Sequence, residues 1–319
     1  MGTQGSHWML AMALAVLAPA GCSVQGTGQA AEAEAARAAA DAAFAAEQEA
    51  WREARHESLL APDGWTGVVG LHWIELDAHY LGSQSGMRLA KGPPRLGLLQ
   101  RSDGRLFFTP ERGVEVSVGG EPVRRRIELH DDRSGAPTLV DFDDGQGQLS
   151  IIRRGGRQAV RVRHLEADTR THFTGIEYWP VDAGWRIEGR FRAHPPGRTM
   201  EIPLIVGGSE AIANPGVVEF ERDGLVHRLE ALDDGSGGLL LILADRTSGQ
   251  GSYGAGRYLD AAAPDAQGRV VLDFNRAYNP PCAFTNHATC PLPPPGNRLD
   301  LAITAGEKAH APPAGLSNS

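Results

Sequence analysis

The sequence predicts a mainly β protein, an antiparallel β-sandwich or barrel-like domain preceded by an N-terminal α-helix. Three observations predict it. Past residue 64 the chain breaks into short apolar runs separated by Gly, Asp and Pro turns. Asp-Gly, Gly-Gly and Ser-Gly pairs at 103–104, 119–120, 134–135, 155–156, 223–224 and 236–237 supply the positive-φ residues that tight hairpins need. No useful helical period recurs after Leu60, which argues against a parallel β/α arrangement. The 40 glycines and 21 prolines suit a chain that turns often, and 319 residues can bury a proper core.

Residues 1–21 are expected to address the chain rather than to fold with it. The apolar stretch 8–17 has signal-peptide length and is too short to span a bilayer. Ala18-Pro19-Ala20-Gly21 before Cys22 resembles a bacterial lipoprotein signal. That resemblance implies lipidation of Cys22 and anchoring to the periplasmic face of a bacterial membrane. Cleavage by the general signal peptidase is the alternative, and it also exports the chain. Residues 22–30 are expected to be a flexible tether.

The segment 31–61 is Ala-dominated, with no Gly or Pro inside it, so a long helix is expected. Its large apolar residues are sparse. Phe44 and Trp51 fall seven apart on one stripe, so the first half is expected to act as a spacer and the second half to dock. Pro62-Asp63-Gly64 ends the helix.

Residues 62–310 are expected to form one all-β domain, with a disordered tail at 311–319. Strands are expected at 65–76, 105–108, 114–118, 123–129, 149–152 and 160–162. Further strands are expected at 185–191, 201–206, 217–220, 225–232, 239–243, 270–274 and 299–303. The arginines at 124–126 and 153–154 read as solvated strand edges. With a net charge of −8 the chain as a whole is a poor partner for nucleic acid.

Chemistry concentrates at 254–308, a polar and Pro-rich run unlike a strand. Cys282 and Cys290 lie there, with His287 between them. In an exported protein the default for the two cysteines is a disulfide, stabilising by roughly 2–3 kcal/mol on the chain-entropy model. The alternative is zinc held by Cys282, His287 and Cys290, completed by Asp273 or Glu307 and less favoured for want of a second Cys-x-x-Cys pair.

The charged residues of the run admit two readings. In the structural one, Asp245 or Asp273 pairs with Arg257 or Arg276 inside the fold. In the functional one, Arg257 and Arg276 form a fork for a carboxylate or phosphate, with Lys308 as a second anion contact. Asn275, Tyr278, Asn279 and Asn297 then add neutral hydrogen bonds, and Asp273 or Glu307 serves as general acid or base.

Other catalytic patterns are weak. The stretch 207–211 lacks the last glycine of a nucleophile elbow, and neither a P-loop nor His-Glu-x-x-His occurs. His72 reads as structural, and Trp73, Tyr178 and Trp179 as core.

Long strings of the sequence resemble domain-of-unknown-function family 1684. They are the stretches 245–249, 252–259 and 273–284, then 289–294, 297–299 and 305–308. Gly64-Trp65, Gly70-Leu71-His72-Trp73 and Leu81-Gly82-Ser83 resemble the family's opening motif. The resemblance covers about 51–308 and implies kinship without an activity. The expected function is binding of a small polar or anionic ligand in a barrel mouth or sandwich cleft. The alternatives are a hydrolase-type enzyme using Asp273 or Glu307, with Cys282 as thiol or metal ligand, and a structural envelope lipoprotein.

Overall fold

The computed structural model describes residues 25–310; the signal segment, Cys22 and the 311–319 tail lie outside the described residues. The described residues fall into two units, the first ending at Phe44 and the second beginning at Ala45. In the first unit the described residues are helical, within the helix Gln25–Leu60. That helix begins inside the stretch expected to be a tether. Gly26, Thr27 and Gly28 are poor helix formers, but elongation adds a hydrogen bond per residue once the Ala-rich run has nucleated. Among the described residues no helix is long and apolar enough to cross a membrane.

The second unit contains the rest of the helix and every strand, so 62–310 lies within one body. It joins both architectures that the sequence left open. One six-stranded sheet runs in the order Val68–Trp73, Arg157–His164, Gly147–Arg154, Val140–Phe142, Val116–Val118, Glu121–Pro122. It faces a five-stranded sheet built on Ala78–Gly82, Gly97–Ser102, Arg105–Pro110 and Ile127–Leu129, with the short strand Met87–Arg88 at its edge. Leu81, Leu99, Phe108 and Leu129 pack there with Phe142, Leu149, Ile151, Val160 and Val162 to make a sandwich core. The pairing is antiparallel except between Ala78–Gly82 and Met87–Arg88.

The second six-stranded sheet runs Arg257–Ala261, Leu239–Leu243, Leu225–Asp233, Gly216–Arg222, Arg186–Ala193, Arg269–Asp273. It curls until its two edge strands approach each other, which makes it nearly a barrel. Val218, Leu229, Leu241, Leu259, Leu272 and Phe274 fill it, together with Leu299, Leu301, Ile303 and Ala305. Those last four alternate along the chain, which is why 299–303 reads as a strand. The segment instead threads the barrel as an irregular plug, meeting Ala244 and Arg246 through isolated hydrogen bonds. A separate hairpin pairs Thr199–Pro203 with Ser209–Ala213.

Candidate functional site

The polar residues of 254–308 turn inward and act as struts. Arg257 is wholly buried on its strand. Its Nη2 donates to Asp245 Oδ2 at 2.8 Å and to the Ile303 carbonyl at 2.9 Å, and its Nη1 reaches the carbonyls of Ala305 and Glu307. The irregular plug has no ladder partner for those carbonyls, and one planar guanidinium serves all three. Burial pulls the Arg257 guanidinium below its usual value, and Asp245 opposes that shift.

Asn297 is equally committed. Its Nδ2 donates to the carbonyls of Glu230 and Ile242, and its Oδ1 accepts from the Glu230 N–H at 2.7 Å.

The carboxylates expected to do acid–base work are also fully engaged, at separate places. Asp273 accepts from Gln48 Nε2 and Arg186 Nε, each at 2.9 Å, and from the main-chain and side-chain nitrogens of Asn275. Glu307 is wholly buried, with Arg55 Nε at 2.9 Å on one oxygen and the Asn279 N–H at 2.6 Å on the other. Burial pushes the Glu307 carboxyl up, and Arg55 works against it. Asn279 Nδ2 donates to the Lys308 carbonyl, Tyr278 to Asp260, and Lys308 pairs with Glu177 at 3.5 Å.

Arg276 reaches Glu47 and Gln48 on the helix, so it shares no partner with Arg257. The expected anion fork of Arg257 and Arg276 is therefore not assembled: one arginine holds the plug and the other the helix. Gln48, Arg52, Arg55 and Leu59 lie on one helical stripe, so the docking face is largely polar, with Leu59 as its apolar end. Trp51 meets Tyr178 edge-on, as its place on the docking half suggests.

Cys282 and Cys290 are both buried free thiols. They pack with Ala288 against Trp65 and Tyr253. Among the described residues no His, Cys, Asp and Glu group could hold a metal, so Cys282, His287 and Cys290 do not assemble the alternative zinc site. His72 and His287 are near enough to repel each other's charge, and burial holds both rings below the usual histidine value.

An unforeseen group lies against the same loop. Arg161 and Arg163 alternate with the core residues Val160 and Val162, so they occupy the opposite face of the strand Arg157–His164. That strand is central, flanked by Val68–Trp73 and Gly147–Arg154, so Arg161 is 7% exposed. Both guanidinium groups stack on Trp65, at 4.9 and 5.9 Å from its ring centre.

Among the described residues neither guanidinium group has a hydrogen bond or an ion pair, and the Nε atoms of both are buried without a partner. The buried Nε2 of His72 is likewise unpartnered. Asp132 lies close enough for Arg161 to feel its charge, but it is bound to Arg154 at 2.6 Å. Burial, with Arg163 adding repulsion, brings the Arg161 guanidinium down to about 10. The sequence signal was Arg-x-Arg inside an apolar strand; Trp65, far away in the chain, gave none.

A separate open cleft of about 640 Å³ lies between Glu49, Arg52 and His56 on the helix and the loop at 174–178. Its Arg52 is already bound to the Trp179 carbonyl.

Comparison with known proteins gives kinship and no activity. The family described as "Protein of unknown function (DUF1684)" matches residues 171–308. That span holds the barrel strands, the plug and both cysteines. An uncharacterized protein of Haloarcula marismortui, solved by solution NMR, is 34% identical over 44% of this chain and 78% of its own, with a TM-score of 0.37. No curated protein matches.

Proposed function

This chain belongs to the DUF1684 family of proteins of unknown function, and we propose that it binds a small anion, a carboxylate or phosphate group, at Arg161, Arg163 and Trp65. One observation carries the reading. Arg161 is a nearly buried cation with neither an ion pair nor a hydrogen bond among the described residues. Taking a charge out of water costs several kcal/mol unless it is paired, so such a site is completed by an anion. Two guanidinium groups side by side match the oxygen geometry of a carboxylate or phosphate, and the Trp65 ring holds them in place.

Titration calorimetry with inorganic phosphate on the full chain tests this. Saturable binding that disappears in Arg161→Gln and persists in Arg276→Gln is the expected result. Equal binding by both variants, or none by the wild type, overturns the site.

From the signal expected at 1–21 we further propose a lipid anchor at Cys22 on the periplasmic face of a bacterial membrane. Metabolic labelling with palmitate that is lost in Cys22→Ser is the matching test.

A further inference from the structure

The two thiols beside this seam have no part in anion binding. Cys282 sits in the single turn Pro281–Ala283, entered through Pro280 and Pro281. The Cys282 N–H donates to Cys290 Sγ at 3.0 Å, so the two sulfurs lie within one side chain's length of each other. The loop around them is fixed at several points. Tyr253 Oη donates to the Cys282 carbonyl, Ile205 N–H to the Cys290 carbonyl, Tyr258 Oη to the Pro291 carbonyl and Thr285 Oγ1 to the Val68 carbonyl.

The sulfurs are not equivalent. A hydrogen bond from the Cys290 thiol, opposed by burial, holds Cys282 below the usual thiol value. The same hydrogen bond, with burial, pushes Cys290 up. Cys282 is also the more exposed, at 8% against 3%.

We propose that Cys282 and Cys290 form a reversible dithiol–disulfide pair oxidised by hydroperoxides, with Cys282 attacking and Cys290 resolving. The Cys282 thiolate attacks one peroxide oxygen, the O–O bond breaks, and the departing oxygen leaves as water or an alcohol after taking a proton. Sulfur loses two electrons and becomes a sulfenic acid. Cys290 Sγ then attacks Cys282 Sγ, the S–S bond forms, the S–O bond breaks and water leaves. The sum is two thiols and one hydroperoxide giving one disulfide, one water and one further water or alcohol. A small-molecule thiol reverses the oxidation through a mixed disulfide. This chemistry requires no ligand in the seam.

The test uses the full chain carrying Cys22→Ser, reduced, freed of reductant and given equimolar hydrogen peroxide without phosphate. The expected product is lighter by about 2 Da, carries a bridged 282–290 peptide and is restored by dithiothreitol. Cys290→Ser is expected to stop at a sulfenic acid on Cys282 that dimedone traps. Unchanged mass in the folded protein, while the urea-unfolded chain reacts, overturns the pair. Failure of phosphate binding leaves each of these readouts intact, so the two readings fail separately.

Discussion

Arg257 and Arg161 are two buried arginines on two strands, one in the barrel and one in the sandwich. The barrel arginine is bonded to a carboxylate and three carbonyls, whereas the sandwich arginine stacks on an aromatic face and has no bonded partner among the described residues. A filled guanidinium fork marks a strut, because removing it leaves its partners buried and unpaired. An empty one marks a place where the fold tolerates a cost that a ligand can offset. Burial alone does not separate them; the hydrogen-bond inventory does.

The contrast breaks most visibly at the strut. Arg257→Leu leaves Asp245 uncompensated and three carbonyls unsatisfied, so urea denaturation is expected to show a loss of about 3–5 kcal/mol. A loss below about 1 kcal/mol would remove the difference between the two arginines. Asn297→Ala comes next. It strands the N–H and carbonyl of Glu230 and the carbonyl of Ile242, at a cost of about 1–3 kcal/mol in the same experiment.

A smaller effect is expected from pH. His72 and His287 have folded-state values below 6.5, so their contribution is present above 6.5 and is lost as pH falls through the folded values. Stability is therefore expected to decline as pH falls below about 6.5, and less steeply in the His72→Gln, His287→Gln double variant. An unchanged slope would separate these rings from the decline. The smallest effect is expected at Arg161 itself. In chloride, Arg161→Gln removes no bonded partner, so its stability is expected within about 1 kcal/mol of wild type.

The same contrast separates what the sequence discloses from what it conceals. Hairpin pairs such as Asp103-Gly104 and Asp223-Gly224 mark turns because both residues adopt positive φ, and the body is antiparallel as they imply. Strands such as Ala78–Gly82 and Val140–Phe142 escape notice because they are short and mix polar with apolar residues. The plug at 299–305 imitates a strand because alternate burial carries the same period whether or not a ladder forms.

Polar density at 254–308 has a structural source, because an irregular segment inside a barrel needs polar struts just as a binding site needs polar contacts. Arg257 and Asn297 therefore resemble ligand contacts in sequence and are internal bonds in space. Arg161 and Arg163 show the reverse. In sequence they are ordinary alternating strand residues, and only the central position of their strand and the distant Trp65 reveal that Arg161 is buried and Arg163 half-buried.

The most direct test is the unfolding free energy of wild type and Arg161→Gln in sodium phosphate and in sodium chloride at equal ionic strength. Phosphate is expected to stabilise the wild type in proportion to the logarithm of its concentration and to leave Arg161→Gln unchanged. Equal stabilisation of both proteins, or of neither, would contradict the assignment of Arg161 as the unfilled half of an anion site.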